Sequence, residues 1–236
     1  MKNIAIIPAR SGSKGLKDKN IKKLNGIPLM EYSIIAAEKS NFFDEVMVST
    51  DSETYKDIAI KSGANVPFLR GENTSTDIAG SWDVVKEVLQ NYCDLGKKFD
   101  TVCLLQPTSP LRRVEDIINA YRLMEEKNAD AITSVCEMEH SPLWTMCLDE
   151  TLSMDGYKKS SKNRNIPRKG LPTYYRINGA IYIRKVDYNQ NQIELTEAKE
   201  FAYIMPRKCS IDIDTLEDFE LAEYYLNKYE PVKKSL

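Results

Sequence analysis

Asn3-Ile4-Ala5-Ile6-Ile7-Pro8-Ala9-Arg10-Ser11-Gly12-Ser13-Lys14-Gly15-Leu16-Lys17-Asp18-Lys19-Asn20 is the stretch on which the fold turns. Residues 3–9 form a short apolar run containing Pro8, and glycines, serines and lysines follow it. Beyond them Leu29, Tyr32, Ile35 and Ala36 recur at helical spacing, so the opening reads as strand, loop, helix. The same rhythm continues outward: strand 45–49, helix 52–62 closed by Gly63, strand 65–69 and helix 81–92. A buried strand over 101–105, a helix over 114–127 with Ile117, Ile118, Tyr121 and Met124 on one face, and a strand over 131–135 complete the series. Strands alternating with helices predict an α/β class with a doubly wound, mostly parallel sheet.

The pattern weakens over 138–170, which carries a basic polar stretch from Lys158 to Lys169. We expect a small inserted subregion there that meets another subunit or covers a site. Strands over 174–184 and 201–205 and a helix over 215–229, with Leu216, Phe219, Leu221, Ala222, Tyr225 and Leu226 apolar, close the chain. Without an internal repeat, low-complexity tract or linker, residues 1–236 read as a single domain with an insertion.

Composition narrows the function classes. Of 236 residues, 42% are hydrophobic and 29% charged, ordinary for a globular protein. A net charge of −2 creates no global field for nucleic acid or anionic lipid, so any anion must be bound locally. Nowhere is there a run of about 20 apolar residues that would cross a membrane. The N-terminus enters a strand without the apolar stretch of a signal peptide, and the five cysteines lack a CxxC pair. Reduced thiols and a cytoplasmic location are expected. With His140 as the one histidine, a Cys/His zinc cluster is not expected.

The loop after the first strand sits where open α/β sheets bind ligands, at the carboxyl edge. Gly12 and Gly15 permit close backbone approach, Ser11 and Ser13 leave amides uncovered, and Arg10, Lys14, Lys17 and Lys19 supply charge. A polyphosphate suits this chemistry, although a solvated lysine-rich turn has the same composition. The loop is neither a Walker loop nor GxGxxG, because its lysine precedes the glycine and the spacing differs.

Three further clusters accompany it. Gln106-Pro107-Thr108-Ser109-Pro110-Leu111-Arg112 follows the 101–105 strand onto the same edge, with Ser109 and Pro110 expected to start the next helix. The 168–182 segment combines Arg168, Arg176, Asn178 and three tyrosines including Tyr182, and arginine grips carboxylates through paired bonds. Asp212-Ile213-Asp214 places two carboxylates on one side of an extended segment, as hard oxygen ligands for magnesium; alone, Asp214 is equally a helix N-cap and Asp212 a surface charge.

Together, Ile7-Pro8-Ala9-Arg10 with Gly12 to Gly15 and Lys19-Asn20, Leu105 to Arg112, Tyr175 to Tyr182 and Ile211 to Thr215 closely resemble the CMP-N-acetylneuraminate synthetases. The resemblance implies a Rossmann-like nucleotidyltransferase fold, a homodimer, and transfer of CMP from CTP to the anomeric hydroxyl of an acidic nine-carbon sugar, releasing pyrophosphate. Carried over, Arg10, Ser13, Lys14 and Lys19 would hold phosphates, with Arg10 and Lys19 serving catalysis. Asn20, Arg70 and Ser81 would contact ribose or cytosine, and Gln106, Arg168, Asn178 and Tyr182 the sugar. Asp212 and Asp214 would bind Mg2+ or Mn2+. Trp144 stands where the family often has a basic residue, and Leu195 and Thr196 where some relatives have aromatics. The resemblance favours N-acetylneuraminate as the sugar, and these two departures keep legionaminate or pseudaminate as alternatives. A glycosyltransferase shares the DxD metal site but need not cradle a triphosphate, and a non-catalytic nucleotide-binding regulator has no use for the aspartate pair.

Overall fold

Alternating side chains on the first strand show how the layers form. The computed structural model describes residues 1–13, 15–155, 167–189 and 192–229. In β1 (Asn3–Pro8), Ile4 and Ile6 point into one buried cluster with Val85, Val88, Leu89 and Tyr92 of α3 (Ser81–Asp94). Ala5 and Ile7 point the other way, toward Ile34 of α1 (Leu29–Ser40) and Ile117, Ala120 and Tyr121 of α4 (Val114–Glu126). β5 (Thr101–Leu104) repeats this alternation, Val102 and Leu104 on the α3 face and Cys103 on the α1/α4 face. Period-two burial with helices on both faces is what a doubly wound sheet requires. Each fully buried aliphatic side chain contributes about 1.5–3 kcal/mol to this layering.

The seven-stranded sheet runs in the order β4 (Glu45–Ser49), β1, β5, β7 (Tyr175–Asn189), β6 (Ala131–Glu137) and β9 (Glu200–Ile204), with β8 (Gln192–Thr196) paired to β7. β4 and β5 flank β1 in parallel, and β6 is parallel to β9. β7 is antiparallel to β5, β6 and β8. The chain leaves β1 for β4 on one side and returns to β5 on the other, which creates a switch point beside β1 where ligands bind in open sheets. A small ribbon, β2 (Lys23–Leu24) with β3 (Ile27–Pro28), turns at Asn25 and Gly26, whose φ angles are 47° and 79°. That Asn-Gly pair is a hairpin signal to which apolar periodicity is blind.

Two expectations need correction, and one element is not foreseen. Residues 65–69 do not form a strand: Asn65 makes a single parallel bridge to Met47, and Pro67, which has no N–H, cannot extend a ladder. Ser109 and Pro110 do not start a helix, because α4 begins at Val114, with Asp116 accepting the Arg113 backbone N–H at 3.0 Å. Strand β8, within the hairpin after β7, is an element that the sequence pattern does not predict.

α2 (Glu53–Lys61) packs Tyr55 and Ala59 on the α1/α4 side, and α5 (Leu216–Tyr229) packs Phe219, Ala222 and Leu226 against Leu24, Leu29 and Tyr32. The 138–170 segment leaves the sheet after Glu137 and returns beside it, Glu137 pairing with Tyr175 and the Met138 N–H donating to the Tyr174 carbonyl at 2.8 Å. Its described part holds two short 3-10 turns, Pro142–Trp144 and Arg168–Gly170, and exposes Leu148, Leu152 and Met154. No described helix is long and apolar enough to cross a membrane.

Candidate active site

The glycine loop is held open by its own anchors. The Ser11 backbone N–H and hydroxyl donate to the two carboxylate oxygens of Asp51 at 2.7 and 2.9 Å. Burial pushes the Asp51 carboxyl up, but those bonds and nearby Arg70 outweigh it and leave the group below its ordinary range. The buried Asn20 side chain donates to the Arg10 carbonyl at 3.0 Å, fixing the far end of the loop.

A cleft of about 580 Å³ opens beside this loop at the switch point, within the size of small-molecule sites. Arg10, Ser13, Gly15, Lys19 and Asn20 line it from the loop, and Gln106, Pro107 and Thr108 from the end of β5. Arg70, Thr74, Thr76, Asp77, Ala79 and Ser81 line the wall before and at the start of α3, and Asp214 completes it. Arg10 Nη2 pairs with Asp77 at 2.5 Å, joining loop and wall. Arg70 is buried, its Nε and Nη2 bound to the Ser49 hydroxyl and carbonyl at 2.9 and 2.6 Å. Burial lowers the Arg70 pKa to about 10, partly offset by Asp51 and Glu87, which leaves it cationic at neutral pH.

The two regions far apart in sequence meet here. Lys19 Nζ donates to the Ile213 carbonyl at 2.6 Å and pairs with Asp214 Oδ1 at 3.0 Å. At Gly15 an added Cβ would stand 2.8 Å from the Asp214 carbonyl oxygen, so the loop lies directly against the aspartate segment. The Ile213 N–H donates to the Thr108 carbonyl at 2.9 Å, tying that segment to the β5 end as well.

Asp214 is not a helix cap. Thr215 and Asp218 cap α5 reciprocally, the Asp218 carboxylate accepting the Thr215 N–H at 2.8 Å and the Thr215 hydroxyl accepting the Asp218 N–H at 3.2 Å. Nor is Asp212 a surface charge. It is half-buried, and burial raises its pKa, with Asp214 raising it further while Thr108, Lys19 and Arg176 pull down. Among the described residues no three His, Cys, Asp or Glu side chains converge to form a complete metal cage. Two carboxylates nonetheless fit a hard cation that takes its other ligands from phosphate and water, as magnesium does.

The expected sugar-binding residues divide. Gln106 lines the cleft, and its side-chain oxygen lies so close to Gly179 that a Cβ there would stand 2.5 Å away, with Asp212 Oδ2 at 3.7 Å. Gly179 has φ +76°, a conformation only glycine adopts without strain. Asn178 does not face the cleft. It is 1% exposed, and its amide is taken up by the Ser134 hydroxyl at 2.6 Å, the Ser210 hydroxyl at 2.8 Å and Met205 Sδ at 3.3 Å. Its side chain therefore holds β7 to β6 and the 205–210 turn instead of a ligand. Tyr182 stacks edge-on against Trp82 with ring centroids 6.0 Å apart and is not among the residues lining the cleft; burial first, then Asp212, raises its pKa. Leu195 packs in the same cluster. Lys14 and the side chain of Arg168 lie outside the described residues.

Several site residues carry no signal in the sequence. Asp51 and Asp77 act through contacts across 40 and 67 positions, which no local pattern marks, and Thr108 lies in a quoted motif whose contact with Asp212 the motif does not reveal. Arg112 is visible in its motif, but its partners are not.

Known proteins share this sequence pattern and fold. The family model described as "Cytidylyltransferase" matches residues 4–234. The N-acylneuraminate cytidylyltransferase of Escherichia coli O18:K1:H7 is 40% identical over 94% of this chain and 51% of its own length. That of Streptococcus agalactiae serotype V is 38% identical over 93% of this chain and 52% of its own length, so the chain spans about half the length of these relatives. The CMP-N,N'-diacetyllegionaminic acid synthase of Legionella pneumophila is 35% identical over 94% of this chain and 95% of its own length. Among solved structures, a CMP:2-keto-3-deoxy-manno-octonic acid synthetase in complex with CTP superposes with a TM-score of 0.68 at 15% identity, covering 97% of this chain and 99% of that one. The fold it shares is the Rossmann-like nucleotidyltransferase sheet, and the family match over nearly the whole length shows that this chain belongs to the cytidylyltransferases.

Proposed function

We propose that the chain transfers CMP from CTP to the anomeric hydroxyl of N-acetylneuraminate or a close nonulosonic acid and releases pyrophosphate. The observation that carries this reading is the direct contact between the glycine loop and Asp214, Lys19 Nζ standing 3.0 Å from its carboxylate on one cleft, with half-buried Asp212 two residues away outside the cleft lining. A cationic loop against two carboxylates suits a cation–triphosphate complex better than either component alone.

In this reading Arg10, Ser13, Lys14 and Lys19 receive the triphosphate, which takes the place of Asp77 on the Arg10 guanidinium. Asn20, Arg70 and Ser81 meet the nucleoside. Asp212 and Asp214 would hold Mg2+ or Mn2+, which supplies charge neutralisation at the phosphate oxygens. The sugar hydroxyl attacks the α-phosphorus in line and gives up its proton to a carboxylate or a water, a new P–O bond forms, and the bond to the β-phosphate oxygen breaks as pyrophosphate leaves. Lys19, anchored by the Ile213 carbonyl, would stabilise charge moving onto that leaving group. Gln106 and Arg168 address the sugar. The exposed apolar residues of 138–155 support assembly as a homodimer through the 138–170 excursion, and the free cysteines support a cytoplasmic setting.

The sugar itself has two readings. N-acetylneuraminate follows the relatives at 38–40% identity. A legionaminate-type or pseudaminate-type sugar is favoured by relatives matched over nearly their full length, at 35% and 32% identity. The test is pyrophosphate release with CTP and magnesium against a panel of acidic sugars. Release requiring both CTP and one nonulosonic acid supports the proposal, and release with none of them removes it.

A further inference from the structure

Arg112 is 1% exposed, yet no ion pair among the described residues includes it. The neighbouring carboxylate, Asp116, is occupied by Arg113 at 2.7 Å and by the Tyr203 hydroxyl at 3.1 Å. The Arg112 guanidinium instead meets neutral groups: Nε donates to the Ala180 carbonyl at 2.7 Å, Nη1 to the Ser33 hydroxyl at 3.0 Å and Nη2 to the Gln106 carbonyl at 2.7 Å. Burial pulls its pKa down to about 10, so it stays charged at neutral pH. A buried guanidinium is costly to desolvate, and the nearby Asp116 charge offsets only part of that cost. Packing alone does not account for an arginine here.

Its geometry does. The planar fork reaches three elements at once: α1 through Ser33, the end of β5 through Gln106, and β7 through Ala180. Gln106 and Ala180 border the gap in which the Gln106 side-chain oxygen rests against Gly179 with Asp212 Oδ2 beside it. Arg112 thus ties the Gln106 backbone to Ala180, the residue next to Gly179. A neutral amide with both donor and acceptor suits a sugar hydroxyl, carboxylate or acyl group. The groups that would meet CTP line other walls of the same cleft, on the β1 loop, at Arg70 and at the start of α3.

We infer that Arg112 is a positioning residue for the acceptor sugar, acting through Gln106, and not a general structural residue. This rests on the cytidylyl-transfer reading. The test uses the full chain with Arg112→Met, Arg112→Lys, Gln106→Ala and the Arg112→Lys/Gln106→Ala double variant. Steady-state kcat and KM for each substrate are measured with calorimetric binding of CTP, using the acidic sugar that the parent turns over. A displaced contact predicts a fall of about 10²-fold in kcat/KM for the sugar. CTP affinity should stay within about twofold, because its groups share no partner with Arg112. Lysine, a point donor, should restore folding without restoring the sugar kcat/KM. The double variant should be no worse than Gln106→Ala alone.

Parent-like sugar kinetics in folded Arg112→Met overturn the inference. So does a parallel loss in sugar and CTP parameters that tracks the folded fraction, or multiplication of the two effects in the double variant. If Arg112→Met does not fold, the lysine variant and its double-mutant cycle decide between these outcomes. A parent inactive with every acidic sugar overturns the underlying function instead, so the two failures are distinguishable.

Discussion

Gly15→Ala tests the contact on which the site depends. An added Cβ would stand 2.8 Å from the Asp214 carbonyl oxygen, a backbone atom that cannot swing aside like a side chain. The loop and the aspartate segment must then open by about half an ångström to reach ordinary contact. Gly15 is exposed and does not have positive φ, so the backbone itself tolerates alanine and the stability cost should stay below about 1 kcal/mol. Misplacement by about 1 Å costs ~10²-fold in rate, so half that displacement predicts a loss on the order of tenfold in kcat. Gly96→Ala provides the opposite pattern. Its φ is +75° with nothing within 4 Å of an added Cβ, and it lies outside the cleft. It should lose about 1 kcal/mol of stability and keep parent activity. The assay is initial-rate pyrophosphate release at saturating CTP and sugar, with denaturant unfolding of each variant. Folded Gly15→Ala within about twofold of the parent rate would refute the idea that loop and aspartates form one catalytic unit.

Three further outcomes are expected. Asp214→Ala should lower the pyrophosphate release rate by about 10²–10³-fold. Its unfolding midpoint should not change, since Thr215 and Asp218 cap α5 without it; a lower midpoint would contradict that division of labour. Burial raises the folded-state pKa of Asp212, so the stabilisation its protonated form contributes is present at acid pH and is lost as pH rises through that raised value. Asp212→Asn should therefore become more stable than the parent as pH climbs from the ordinary carboxylate range to neutrality without divalent cation, and a pH-independent difference in unfolding free energy would count against it. Asp116→Ala removes a fully buried carboxylate that accepts from the Arg113 backbone and guanidinium and from Tyr203. It should cost about 3 kcal/mol in chemical denaturation, and a cost under about 1 kcal/mol would show that those donors find other partners.

Much of this architecture is legible along the chain. The strand–loop–helix opening and the alternation that follows it depend on apolar spacing, which is local, and they predict β1, β4, β5, β6 and the helices α1 to α5. Spacing misleads where another local rule competes, as at Pro67, which denies residues 65–69 a ladder, and at Asn25-Gly26, whose turn chemistry outranks periodicity. Strands over 174–184 and 201–205 are legible and become β7 and β9, whereas the end of β7 and all of β8 are hidden because they are half-exposed and mixed in pattern.

The sequence by itself determined which residue types were available: glycines and cations in one loop, a glutamine at a strand end, two aspartates one residue apart. Only the tertiary structure decided which of them share a cleft. It brought Lys19 to Asp214 across 195 positions and turned Asn178 inward, binding its amide to Ser134 and Ser210. It also aimed Arg112 at three carbonyl and hydroxyl oxygens. Propensity and periodicity act over a few residues, whereas hydrogen-bond satisfaction of a buried polar group is settled by whatever chain the fold places beside it.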